Sequence, residues 1–268
     1  MAAGIVPSRS RSAALILRDR GIQLASLVAL VAIWAVFASL IGTFGGASIV
    51  PGPVDVAPRF VTLITSGEWV TPLLETLSRT GVGFAVAFVA GIIIGITTAK
   101  VPVFRLTTAP LLRVLLFFPT LILIYVGTSM LGVGGGGYTT IALIAGLVVG
   151  PNVSIYMRDV MNDFDPELAA MADSYRVPTR QRVLEVYLPF LVPPMLAASR
   201  IAFSQTWKVV MLSEVFGLPG GLGFQIRSAE DIGDPKRMMA YLIVFIVALL
   251  VIEQGIRVLE HRIVKWKR

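Results

Sequence analysis

The chain has 268 residues, 56% of them hydrophobic and only 15% charged, with a mean hydropathy of +0.82. Soluble domains carry roughly 25% charged residues, so this composition describes an all-α polytopic membrane protein whose length is mostly committed to spans. The absence of cysteine excludes disulfides, thiol catalysis and cysteine metal sites, and the single histidine, His261 in a basic tail, leaves no Ser/His/Asp grouping to assemble.

The net charge is +7, with a pI near 10.0. In a soluble protein that excess would suggest nucleic acid. Here the basic residues flank apolar segments, so the positive-inside rule accounts for them and no nucleic-acid partner is implied.

In chain order, residues 1–20 form a basic cytoplasmic arm carrying Arg9, Arg11, Arg18 and Arg20. The first span runs from Ile22 to Gly42, about 20 residues, enough to cross a hydrocarbon core. Its apolar run exceeds the core of a signal peptide, so it reads as a retained span. A Gly/Pro-rich outer segment follows to residue 71, with a short helix-like run near 55–66. Glu75 to Lys100 is the second span. Gly81, Gly83, Gly91 and Gly95 suit close helix contacts there, and Gly91 and Gly95 have small-xxx-small spacing.

Lys100 and Arg105 mark an inner turn around Pro102. The third span, Leu106 to Leu131, is interrupted by Pro110 and Pro119 and carries Arg113. The glycine run at 132–137 is an outer turn, and Thr139 to Met157 is the fourth span. A charged inner loop at 159–188 leads to the fifth span, Pro189 to Phe216. Residues 217–237 form a polar outer loop, and Met239 to Ile256 is the sixth span. The chain thus divides into an arm at 1–20, a first span with outer segment at 21–71, a core at 72–260 and a basic tail at 261–268. With both termini cytoplasmic, fifteen of the 23 basic residues lie inside and four (Arg59, Arg227, Lys236 and Arg237) outside, a bias that fixes the orientation.

Two groups of residues carry functional information. Intramembrane charges usually face a bundle interior or an aqueous path, because each costs at least about 2.5 kcal/mol at a helix centre. Arg113, Arg200, Lys208 and Glu214 are such charges, and Trp207 beside Lys208 supplies an apolar wall. They are candidates for a translocation path, or for internal pairing that ties the bundle together. Net positive charge along a path suits an anionic or zwitterionic solute. The second group lies in the inner loop. Asp165 is an N-cap, Pro166 fits the first helical position and Glu167 the first turn. Leu168, Met171, Ala172 and Tyr175 recur on one helical face, and Pro178 ends the helix near Arg176. Such a stripe needs a partner, its own bundle or lipid headgroups to bury it.

The run DPELAAMADSYRVPTRQRVLEVYLPFLVP resembles the Glu-Ala-Ala loop of permease subunits of binding-protein-dependent ABC importers, within the nitrate, sulfonate and taurine group. Leu188-Pro189 and Pro193 match the end of that loop. The family's triplet falls on Ala170-Met171-Ala172, keeping only the last alanine, and its glycine falls on Arg176. VPGPVDVAPRF, SRTGVGFAVAFVAGIIIGI and SRIAFSQTWKVVMLSEVFGLPGGLGFQI resemble other segments of the same group in the same order. The resemblance implies a six-span permease without catalytic activity in a bacterial inner membrane, needing no cofactor of its own. It implies ATP bound and hydrolysed by a cytoplasmic partner subunit, an extracytoplasmic solute-binding protein, and a second permease copy in a homodimer. By the same likeness, Leu168 to Arg176 forms a coupling helix, with Leu168, Met171, Ala172, Tyr175 and Arg176 docking on the ATPase. An ion-coupled secondary transporter and an intramembrane enzyme are the rival classes. The first calls for an inverted repeat and a coupling carboxylate, the second for a nucleophile and base or a metal.

Overall fold

The structure, a computed structural model, describes residues 9–42, 50–131 and 134–263. The ends of the arm and tail, residues 1–8 and 264–268, lie outside the described residues, as does the His261 side chain.

The architecture is all-helical: α1 (Arg9–Ile41), α2 (Pro53–Ser66), α3 (Val70–Lys100), α4 (Pro102–Phe117), α5 (Thr120–Leu131), α6 (Tyr138–Val148), α7 (Gly150–Asn162), α8 (Pro166–Ser174), a single turn α9 (Thr179–Gln181) running into a π-helical turn (Arg182–Tyr187), α10 (Leu188–Phe216), α11 (Gly221–Asp231) and α12 (Pro235–Ile263). Proline sets several of these starts, because its fixed φ suits the first turn and its missing N–H is not needed there. Pro53, Pro102, Pro166 and Pro235 all begin helices. Asp55 adds a local cap on α2, accepting from Gly52 N–H at 3.2 Å, and Asp234 accepts from Arg237 N–H at 2.9 Å on α12.

Three stretches are long and apolar enough to cross a membrane: α3, the one containing α10, and α12. The α4–α5 and α6–α7 pairs make five if each bent pair is one span, and Ala25–Ile41 is a shorter apolar helical segment. The single third span expected from the sequence is two helices bent by 97°. Its cause is local: Phe118 precedes Pro119 and is driven to extended backbone (φ −70°, ψ 129°), which stops α4. The fourth span bends by only 43°, where Val149 stays helical ahead of Pro151. The outer loop expected at 217–237 contains α11, and the basic residues 9–20 are helical and continuous with the first span.

Two helices organise the bundle. α3 packs against α6, α7, α10 and α11, and α10 touches α3, α5, α6, α7, α11 and α12. The α3–α7 contact is close because glycine allows it. A Cβ on Gly91 would meet Val153 at 2.6 Å, and one on Gly95 would meet the Ser154 carbonyl oxygen at 2.5 Å. Gly83 plays the same part against Ile141 of α6, whereas Gly81 faces open space and makes no such contact. One apolar core fills the α3–α6–α7–α10 space around Ile144, Val149 and Met157. A second surrounds Trp207, Tyr241 and Phe245 between α2, α10, α11 and α12.

Candidate functional site

The loop at 159–188 folds as its caps dictate. The Asp165 carboxylate accepts from Glu167 N–H at 2.8 Å, opening α8. At the other end Arg176 N–H donates to Asp173 O at 2.9 Å and Val177 N–H to Ala172 O at 3.0 Å. That pair of bonds is a Schellman ending, which needs a left-handed residue after the cap. Arg176 supplies it, with φ 49°, and is the one non-glycine residue with positive φ among those described. The position where the resembling family carries glycine is thus the position where this backbone turns left-handed.

α8 has two distinct faces. Ala172 is 6% exposed and Ala169 packs towards the core around Met161 and Phe164. On the opposite side Leu168, Met171 and Tyr175 are 42%, 52% and 78% exposed. The four-residue stripe read from the sequence therefore splits: Leu168, Met171 and Tyr175 face outward with Arg176 beside them, and Ala172 belongs to the inner, seated face. The difference is geometric. Positions 171 and 172 are adjacent, about 100° apart on the helix, and the smaller side chain takes the crowded side.

The intramembrane charges do not form one group. Glu214 is fully buried and its Oε1 accepts from Arg79 Nη1 at 2.8 Å, while its Oε2 accepts from the Thr76 hydroxyl at 2.8 Å and Gly223 N–H at 3.1 Å. Arg79, 5% exposed, also donates to the carbonyls of Gly220 at 3.0 Å and Pro219 at 2.7 Å. Glu75 accepts from Gly221 N–H at 2.5 Å, and the Thr76 hydroxyl accepts from Leu222 N–H at 2.8 Å. Successive N–H groups at the start of α11 are thereby satisfied by α3 and α10 side chains, as a buried helix start requires. Gly220 and Gly221, with φ 78° and 86°, give the left-handed backbone that aims those N–H groups at the acids.

Arg79 was missed in sequence reasoning. An arginine within the second apolar run, SRTGVGF, is signal enough that a buried partner exists. Trp207, read as a path wall, is fully enclosed in the second core, stacked on Phe245 at 5.1 Å between centroids. Glu214 and Trp207 thus have no surface with which to line a path in this chain, and internal packing is what occupies both. Arg200 is half-buried on α10, whereas Lys208 on α10 and Arg113 on α4 are exposed. Lys208 shares the open strip of α10 with Ile201, 56% exposed. A hollow of about 330 Å³ between α2, α3 and α12 is lined only by apolar side chains, among them Phe60, Trp69, Leu73 and Val247, and offers a charged solute no polar group.

The sequence profile of the binding-protein-dependent transport system inner membrane component family matches residues 87–265. The putative aliphatic sulfonates transport permease protein SsuC of Bacillus subtilis is 25% identical over 252 residues, covering 92% of this chain and 87% of that one. The taurine transport system permease protein TauC of Escherichia coli is 23% identical, with 93% and 90% covered, and the nitrate import permease protein NrtB of Synechococcus elongatus is 23% identical, with 82% and 80% covered. Among solved structures, a bacterial alginate ABC transporter in complex with an alginate pentasaccharide-bound periplasmic protein aligns with TM-score 0.65 at 17% identity, covering 92% of this chain and 96% of that one. An inward-facing MetNI methionine ABC transporter aligns with TM-score 0.61 at 18% identity, covering 72% and 94%.

Proposed function

Because the chain belongs to the family of binding-protein-dependent transport system inner membrane components, we propose that it couples to a cytoplasmic ATP-binding subunit through α8 and passes a small anionic or zwitterionic solute along the open face of α10. Membership makes it a permease subunit of an ABC importer, a transport protein and not an enzyme. The rival ion-coupled transporter loses its residue as well as its family, since Glu214 is committed to Arg79, Thr76 and Gly223.

The observation that carries the coupling reading is the two-faced α8. Its inner face is seated through Ala169 and Ala172, while Leu168, Met171 and Tyr175 stand exposed on the outer one. Each such side chain stabilises a complex by up to roughly 1.5–3 kcal/mol when covered. A solute-binding protein on the outer side and a second permease copy complete the assembly. The pairing is supported by the exposed Lys208 strip, which needs facing protein to become a path. The solute class rests on the names of the sulfonate, taurine and nitrate relatives and on the exposed cations Lys208 and Arg113.

Met171→Glu tests the docking face, since a carboxylate buried there has no partner. The variant is expected to insert normally while the ATP-binding subunit recovered with it falls more than about ten-fold, a loss of over 1.4 kcal/mol. Arg180→Ala, on the solvated side, serves as control. Undiminished recovery with Met171→Glu removes α8 as the docking surface.

A further inference from the structure

α8 meets the membrane body at a cluster of rings. The chain leaves α7 through Phe164 and returns to α10 through Tyr187 and Phe190. The Phe164 ring, 7% exposed, lies 4.8 Å from that of Tyr187 and 5.1 Å from that of Phe190, centroid to centroid. Onto this pair comes a third element. Lys100 is the last residue of α3, which stops because Val101 is extended ahead of Pro102. Its ammonium sits 4.8 Å from the Tyr187 centroid and 5.9 Å from that of Phe164. Both distances are within cation–π range. The Asp173 carboxylate, 2.6 Å from Arg182, ties α8 to the π-helical turn that ends at Tyr187.

The consequence lies in what α3 does at its other end. α7 and α10 are joined to α8 through the chain itself, but α3 is not. α3 nonetheless carries Glu75, Thr76 and Arg79, which hold the start of α11. Arg79 and Lys100 are 21 positions apart on one unbroken helix, so about 31 Å separates them along its axis. A displacement of α8 delivered to Lys100 therefore reaches α11 on the opposite side of the bundle through one rigid rod.

We propose that Lys100, with the Phe164 and Tyr187 rings beneath it, is the joint through which movement of α8 is transmitted to α3 and so to α11. This rests on α8 as the docking helix. Lys100 is a positioning residue: it touches neither nucleotide nor solute and acts through the rings.

The chain has no cysteine, so a single reporter, Glu230→Cys on the exposed side of α11, can be labelled with a water-soluble thiol reagent. The full-length permease is purified with its ATP-binding subunit in liposomes, and labelling rates are compared without nucleotide and after trapping with ATP and orthovanadate. With Lys100→Met, complex recovery and vanadate trapping are expected to stay at the wild-type level while the ATP-induced change in labelling shrinks about two- to five-fold, which corresponds to a cation–ring contact of about 0.5–1 kcal/mol. Lys100→Arg keeps the cation and restores the response. Tyr187→Leu gives the same loss, and the double variant loses no more than either single one. An unchanged response in Lys100→Met overturns the joint and leaves the docking reading standing, and reduced recovery of the complex overturns it too by making Lys100 a folding residue. If the parent protein with Glu230→Cys alone shows no response to ATP and vanadate, α11 does not follow α8 and the joint falls, while the docking reading is judged separately by recovery of the ATP-binding subunit with Met171→Glu.

Discussion

Arg79 and Glu214 are a buried pair in a setting where neither charge has water to fall back on. Removing one partner of such a pair costs about 3–5 kcal/mol, because the other is left uncompensated, whereas removing both is far milder. The two single losses are not equivalent here. Without Glu214, Arg79 still donates to the carbonyls of Pro219 and Gly220. Without Arg79, Glu214 keeps only the Thr76 hydroxyl and Gly223 N–H as partners for a fully buried carboxyl group. Arg79→Met is therefore expected to lower the thermal unfolding midpoint in detergent more than Glu214→Gln does, and the double variant to recover most of the loss. Equal midpoints for Arg79→Met and the parent protein would mean that the pair contributes nothing to the fold.

At the scale of elements, α8 illustrates both what local sequence dictates and what it leaves open. Asp165-Pro166 and Pro178 bound the helix from composition alone, and its length follows. The left-handed Arg176 is the exception, since a side chain in that region costs about 1–2 kcal/mol. Arg176→Gly relieves that cost, less the greater freedom of glycine in the open chain, for a net gain of about 0.5–1 kcal/mol. The gain belongs to the loop rather than to the whole fold. It should be read as slower hydrogen exchange at the amides of residues 176 and 177, by about two- to five-fold. Unchanged exchange would show that the side chain at 176 meets no resistance there.

Helix starts were legible where a cap residue and proline act together, as at Asp165-Pro166; Pro119 marked an interruption of the third span but not its 97° bend, and neither the bend of the fourth span nor the start of α12 at Pro235 was read. Nor was α11, because GLGFQIRSAED reads as a polar, glycine-rich loop. What satisfies its first N–H groups is Glu75, Thr76 and Glu214, two of them 146 positions away in sequence. No local pattern contains that information. The same holds for Trp207, which adjacency placed beside Lys208 although the helix turns the two side chains to different sides, one into the core and one outward.

At the scale of the whole molecule, the open strip of α10 is the part of this central helix that the rest of the chain does not cover. Lys208 is exposed on it, and its separation from Glu214 is now explicit, because Arg79 occupies that carboxylate. A lysine facing lipid at this depth would have to snorkel, and one facing a path offers a charge to the solute. Lys208→Met keeps the length of the side chain and removes only the charge. With radiolabelled taurine and nitrate as probes, in cells that also carry the ATP-binding subunit and the solute-binding protein, uptake of whichever the parent protein carries is expected to fall about ten-fold, as loss of one favourable charge contact of about 1.4 kcal/mol implies. The amount of assembled complex should not change. Lys208→Arg should retain most of the uptake, and Glu214→Gln should not rescue Lys208→Met, since the two residues have different partners. Rescue by Glu214→Gln would instead make the two a functional pair across the bundle. Wild-type uptake by Lys208→Met would take the path off this face of α10, and with it the case for an anionic solute drawn from Lys208.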